Sequence, residues 1–236
     1  MKISLLLGRL RASLAASAGD VVFGMEDGTV SIFGLVFGVA ATTNQSSTVL
    51  IAGSSGAVAA AVSMMAGAYL DAETSRDEAR SSAALIDSRM QRNPAEVLEK
   101  VMGRMRTVGI EPDQAKTLNN FLRSEPAILK GVASALVASA VPGLTQSPLV
   151  QSLWMLVADF FAAAIPIVPF ALMPVPAGRV VSGTVTLLLL VGLGVGRARI
   201  GSRGILRTVI ETVSIGVAAA LAGVAIGVAI ARSFGV

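Results

Sequence analysis

Apolar residues run in five long blocks, separated by short polar breaks and one long charged stretch. The blocks lie at about 20–43, 48–70, 149–173, 179–196 and 205–231. Each reaches the ~18 residues that mark a candidate transmembrane helix. The break at Thr43-Asn44-Gln45-Ser46-Ser47 carries no charge. Met173-Pro174-Val175-Pro176-Ala177-Gly178 predicts a tight turn, and the stretch Gly196–Gly204 a basic loop. Residues 71–130 hold most of the charge, and Pro94, Gly109, Pro112 and Pro126 divide them into short helices. The apolar pattern resumes near residue 132 and breaks at Pro142-Gly143 and Pro148. Pro166 and Pro169 are expected to kink the third span. Residues 1–18 are basic and amphipathic. Arg9 and Arg11 interrupt the apolar run after Leu5-Leu6-Leu7, so an interfacial helix fits better than a signal peptide ending at Ala16-Ser17-Ala18.

The predicted fold is all-α: a polytopic membrane protein with five transmembrane helices and a small cytoplasmic helical insert. The expected division is 1–70 (interfacial helix and spans one and two), 71–130 (insert) and 131–236 (spans three to five). Lys/Arg placement sets the orientation. With the N-terminus in the cytoplasm, Lys2, Arg9, Arg11, the insert and Arg197, Arg199, Arg203 and Arg207 all fall inside, leaving Arg179 and Arg232 outside.

Composition narrows the chemistry. Of 236 residues, 53% are hydrophobic and 14% charged, against about 25% charged in a typical soluble domain. There is no Cys and no His, which removes disulfides, imidazole or thiolate metal sites and Cys/His nucleophiles. An enzyme is not expected, because no nucleophile–base pair or cofactor motif is present. A metal would take carboxylate, carbonyl, hydroxyl, water or Met thioether ligands, a donor set suited to Mg²⁺, Ca²⁺, Mn²⁺ or Fe²⁺. The net charge of +4 points to anionic lipid headgroups rather than nucleic acid, since no basic patch is interleaved with aromatics.

Ionisable residues inside apolar spans are then the informative ones. A charge at the bilayer centre costs roughly 2.5–3.5 kcal/mol on insertion scales, so each is a candidate for ion handling. They are Asp20 at the rim, Glu26 and Asp27 in the first span, Asp159 in the third and Glu211 in the fifth. Glu26 and Asp27 point about 100° apart on a helix. One can face a pathway while the other meets a neighbouring helix or an arginine. Glu211 has Arg207 four residues before it, the spacing of an ordinary ion pair. Met64 and Met65 in the second span are packing residues or soft metal ligands. Glu73 and Asp77 share a helix face beyond that span. Glu96 and Glu99 precede Met102 and Met105 at helical spacing. Both sets are either cytoplasmic metal ligands or solvated faces of amphipathic helices. The steps Gly24/Gly28, Gly34/Gly38 and Gly223/Gly227 permit close helix contact, within the chain or across a dimer.

Gly24-Met25-Glu26-Asp27-Gly28-Thr29-Val30-Ser31, with Phe33-Gly34-Leu35-Val36-Phe37-Gly38, resembles the vacuolar iron transporter family, as does Ala59-Ala60-Ala61-Val62-Ser63-Met64-Met65-Ala66-Gly67-Ala68-Tyr69-Leu70. Ser147-Pro148-Leu149 and Ile165-Pro166-Ile167-Val168-Pro169-Phe170 support the likeness, which covers about residues 15–232. The resemblance implies a dimer of five-helix membrane domains, with the second helix extending into a small cytoplasmic domain. It implies export of Fe²⁺ or Mn²⁺ from the cytoplasm in exchange for protons. Asp27 falls on the family's first-span acid and Met64 on its second-span Met. Where many members carry Glu in the second span this chain has Gly56, and where some carry Glu before Tyr it has Ala68.

The expected function is thus proton-coupled transport of a divalent metal. Asp27 would be the central ligand and proton carrier, Met64 a second ligand, and Glu26 or Asp159 the replacement carboxylate. The expected partners are the lipid bilayer, the transported Fe²⁺ or Mn²⁺, protons and a second copy of the chain, with no permanently bound cofactor. The alternative is a membrane scaffold or metal sensor that keeps the fold without transport. The compact chain without a long targeting tail points to a bacterial inner membrane, with an organelle membrane as the alternative.

Overall fold

The computed structural model describes residues 2–138 and 147–235; the Pro142-Gly143 break lies outside them. Every regular element among the described residues is an α-helix: α1 (Lys2–Ala16), α2 (Ala18–Thr42), α3 (Ser46–Arg92), α4 (Pro94–Thr107), α5 (Pro112–Ser124), α6 (Pro126–Ala138), α7 (Pro148–Leu172), α8 (Val175–Ile200) and α9 (Ile205–Phe234). Five of them, α2, α3, α7, α8 and α9, are long and apolar enough to cross a membrane.

The second apolar block ends near residue 70 but its helix does not, as the resemblance implies: α3 continues through the charged residues to Arg92. That segment, rich in Ala, Glu, Arg and Asp and free of Gly and Pro, contains nothing that stops a helix. Two local expectations change. The predicted turn at 173–178 shrinks to Met173-Pro174, and α8 starts at Val175. Pro176 falls in the first turn, where a missing amide hydrogen costs nothing. The predicted basic loop shrinks to residues 201–204, since Arg197 and Arg199 occupy the last turn of α8. Cations there complement the C-terminal end of the helix dipole. Helix α7 continues without interruption through Pro166 and Pro169.

The chain divides into two compact units, Met1–Tyr69 with Gln146–Val236, and Leu70–Thr145. In the first, α2 is central and packs on α7, α8 and α9. Close approaches give the helix directions. Gly24 lies against Met155 and Gly28 against Asp159, so α2 and α7 run parallel. Gly34 meets Ala219, Gly38 meets Gly223, and Gly227 meets Gly38, so α2 and α9 also run parallel. Gly194 meets Val209 and Gly216 meets Leu190, which makes α8 antiparallel to α9. Gly53 packs on Val36, and Gly56 on Ile32 and Leu35, which makes α3 antiparallel to α2. Helices α2, α3, α7, α8 and α9 therefore alternate in direction, as successive membrane crossings must.

The apolar core of this unit joins Ile32, Val36 and Ala40 of α2 to Val49 and Ala57 of α3, Ala163, Ile167 and Phe170 of α7, and Val175 of α8. All three small-residue steps are used inside the chain. Gly24 and Gly28 admit α7, while Gly34 and Gly38 admit Gly223 and Gly227 of α9. At one end, the Arg179 guanidinium donates to the carbonyls of Ala40 and Thr43, satisfying the C-terminus of α2.

Helix α1 packs on α2, and the Trp154 indole of α7 donates to Ser13 Oγ at 3.0 Å. Trp154→Phe is expected to loosen α1 by about 0.5–1.5 kcal/mol, the usual net worth of one hydrogen bond. Hydrogen exchange should quicken over residues 2–16 and stay unchanged in α7.

The second unit packs α4, α5 and α6 around Val97, Leu98, Val101, Met102, Leu122, Leu129 and Ala133, with Ile86 and Met90 of α3 against them. Asn93 caps α4, its side chain accepting from the Glu96 amide, and Pro94 opens the helix. Gly109, at φ +90°, supplies the left-handed turn between α4 and α5.

Candidate functional site

The acidic pair on α2 splits between two environments. Glu26 is only 8% exposed. Its Oε1 accepts from Arg197 of α8 and from Thr212 Oγ1 of α9, both at 3.0 Å. Glu26 thus joins three helices, and its charge already has a partner. Arg197 lies 171 residues away in sequence. No local spacing signals such a pairing.

Asp27, one residue on, is half-buried and precedes Gly28, the glycine against which Asp159 of α7 packs. Asp159 is fully buried, and neither carboxylate oxygen has a hydrogen-bond partner. It sits directly against Gly28. A Cβ added there would lie 2.5 Å from the Asp159 carbonyl oxygen and 2.8 Å from its Oδ1. The glycine after Asp27 therefore makes room for the α7 carboxylate. One turn earlier on α7, Met155 is 6% exposed and packs in the same way on Gly24. Met155 was not singled out from sequence, because a Met in an apolar helix reads as packing.

Met64 is half-buried on α3. It lies on the face defined by Gly53, Ala57 and Ala61, at helical steps from each. The antiparallel register that sets Gly53 against Val36 and Gly56 against Ile32 brings Met64 level with Met25, within one turn of Asp27. Gly56 itself is covered, since an added Cβ would collide with the Leu35 side chain. Glu211 and Arg207 are both exposed, and no ion pair joins them.

In the second unit the remaining candidates have neighbours of their own. Glu96 pairs with Lys100 at 2.8 Å, and that hydrogen bond, then the Lys100 charge, holds the Glu96 carboxyl below the usual carboxylate range. Glu99 is exposed, while Met102 is buried in the core, so the two do not form a common metal-binding surface. Asp77 pairs with Arg80 at 3.1 Å. Glu73 is half-buried. Among the described residues no three Asp or Glu side chains converge to hold a metal ion.

A family model described as the VIT family matches residues 18–228, nearly the whole chain. The chain belongs to the VIT family. Similar proteins include vacuolar iron transporter 1 of Eucalyptus grandis, 24% identical over 204 residues that cover 86% of this chain and 82% of that protein. Vacuolar iron transporter 1 of Arabidopsis thaliana is 26% identical with the same coverage. The vacuolar iron transporter of Centaurea cyanus is 27% identical over 184 residues, 75% of this chain and 74% of its own length. These relatives are plant proteins named for the vacuole, which gives the expectation of a bacterial inner membrane no support. Within this VIT family chain, residues 18–228 take in Asp27, Met64 and Asp159 together.

Proposed function

We propose that this VIT family protein carries a divalent metal ion, Fe²⁺ or Mn²⁺, across a membrane and out of the cytoplasm in exchange for protons. The observation that carries this reading is Asp159, a fully buried carboxylate with no hydrogen-bond partner, beside Asp27 in the middle of an apolar bundle. An unpaired carboxylate there is costly, and cost of that kind marks ion and proton pathways. Relatives named iron transporters support the metal as cargo.

In this reading Asp27 is the central ligand and the proton carrier, and Asp159 is the second carboxylate. Met64, level with Met25 on the facing surface of α3, approaches from the other side. Glu26 is set aside, because Arg197 and Thr212 occupy it. Metal and proton compete for the same oxygens, so a carrier that exposes the pair alternately to each side exchanges one for the other. The basic residues of α1 and of the α8–α9 connection support a cytoplasmic location for those ends. A second copy of the chain completes the assembly that the resemblance implies.

Uptake of Fe²⁺, Mn²⁺ and Co²⁺ into proteoliposomes under a pH gradient tests the reading. Wild-type protein should accumulate Fe²⁺ or Mn²⁺ and dissipate the gradient. Asp27→Ala should lose nearly all flux, and unchanged flux in that variant removes Asp27 from its role. A second reading, a scaffold or sensor without transport, draws on the Leu35 side chain that fills the space at Gly56. It would be selected by undetectable flux in a folded wild-type protein.

A further inference from the structure

We propose that Met155 of α7 is a further thioether ligand of the intramembrane site, alongside Met64, and strengthens its preference for softer divalent ions over Mg²⁺. The proposal rests on the transport reading above and assigns a residue that reading does not use. Three observations lead to it. Met155 and Asp159 are four residues apart on one helix, so their side chains leave the same face. Both are buried against the same stretch of α2: Met155 on Gly24, where an added Cβ would lie 3.2 Å from the Met155 Cγ, and Asp159 on Gly28. Asp27 is the residue just before Gly28, the glycine against which Asp159 packs.

The unpartnered Asp159 oxygens make this more than a stripe of small residues, because a buried carboxylate without a donor calls for a cation or a proton. Two carboxylates are also too few. No third Asp or Glu joins them among the described residues, so further donors must come from thioether, hydroxyl, carbonyl or water. Met155 is a polarizable side chain one turn from Asp159 on the same buried face. Carboxylates alone suit Mg²⁺, Ca²⁺ and Mn²⁺, whereas an added thioether shifts preference toward softer ions. Selectivity would then be built in part on α7, through one side chain that keeps the core filled when no ion is bound.

The test measures Co²⁺ binding to the purified full-length protein in lipid nanodiscs, by visible absorption, with Mg²⁺ as competitor. Met155→Leu conserves volume, and its fold is checked by circular dichroism and thermal unfolding. The variant should bind Co²⁺ at least about tenfold more weakly, a loss already typical of disturbing a ligand's outer hydrogen bonds, with Mg²⁺ affinity unchanged. Asp159→Asn should weaken both ions. If Asp27→Asn abolishes Co²⁺ binding while Met155→Leu leaves the Co²⁺/Mg²⁺ preference intact, the assignment of Met155 is wrong and the transport reading stands. If the wild-type protein neither binds Co²⁺ nor carries metal in proteoliposomes, both fall. If Asp159→Asn binds Co²⁺ like wild type, Asp159 is a neutral carboxyl and the α7 site is overturned.

Discussion

Gly223→Leu is expected to prevent α9 from docking on α2, at a cost of ~3 kcal/mol or more. Overpacking a filled site costs about 1–3 kcal/mol when side chains can adjust. Here the obstacle is backbone. Even a single Cβ at Gly223 collides with the Gly34 carbonyl oxygen, and one at Gly38 would sit 2.7 Å from the Gly223 carbonyl oxygen. Neither atom can rotate away. Only separation of the helices makes room, and that forfeits the small-residue contact that holds membrane helices together where lipid is as apolar as the interface. Thermal unfolding in detergent and the monodisperse fraction on size exclusion report the loss. Gly192→Leu on α8 is the control, because nothing lies within 4 Å of a Cβ there. It should match wild type. Equal behaviour of the two variants would refute the backbone contact.

Arg197→Leu should destabilise the bundle by about 2 kcal/mol, and Glu26→Gln in the same protein should recover most of it. The reasoning starts from Glu26, buried between α8 and α9 with Arg197 and Thr212 as its donors. Removing one member of a fully buried pair costs about 3–5 kcal/mol, whereas an exposed pair is worth ~1 kcal/mol or less. The Arg197 side chain is 37% exposed and that of Glu26 11%, so the value falls between these limits. Without Arg197 the carboxylate keeps only the Thr212 hydroxyl. The neutral amide of Gln needs no counter-charge and can still accept from Thr212. A four-state cycle of melting temperatures measures the coupling, and additive losses would show that the pair is not a unit.

The fold was legible because it rests on what apolar length can say. A run of apolar residues about twenty long has few alternatives in a chain with this composition, and the five crossings follow. The misjudged segments were those where proline and arginine carry two meanings. Pro174 and Pro176 mark a turn or a helix start, and the second was correct for Val175 onward. Arg197 and Arg199 mark a loop or a helix end, and again the helix includes them. The site was less legible. Asp159 stood out as a charge in an apolar span, but that it is unpartnered and set against Gly28 depends on α7 meeting α2. The partner of Glu26 comes from the far end of α8, and sequence distance hides it. The glycine steps announced close packing without naming the partner, which proved to be α7 for one and α9 for the other.

That division of α2 between two neighbours has a mechanical result. Its first half is locked to α7 and its second half to α9, each at backbone distance, and all three helices run the same way. A shear of α2 against either neighbour would press backbone on backbone, with no side chain between them to give way. Helix α3 touches the trio differently, through the tips of Leu35, Val36 and Ile167. Such tips can change rotamer, where backbone cannot. Asp27 and Asp159 sit on the helices that meet through backbone, and Met64 on the one that meets them through side-chain tips. A change in the spacing of the two carboxylates would need backbones to part, whereas a change in the position of Met64 would need side chains to turn.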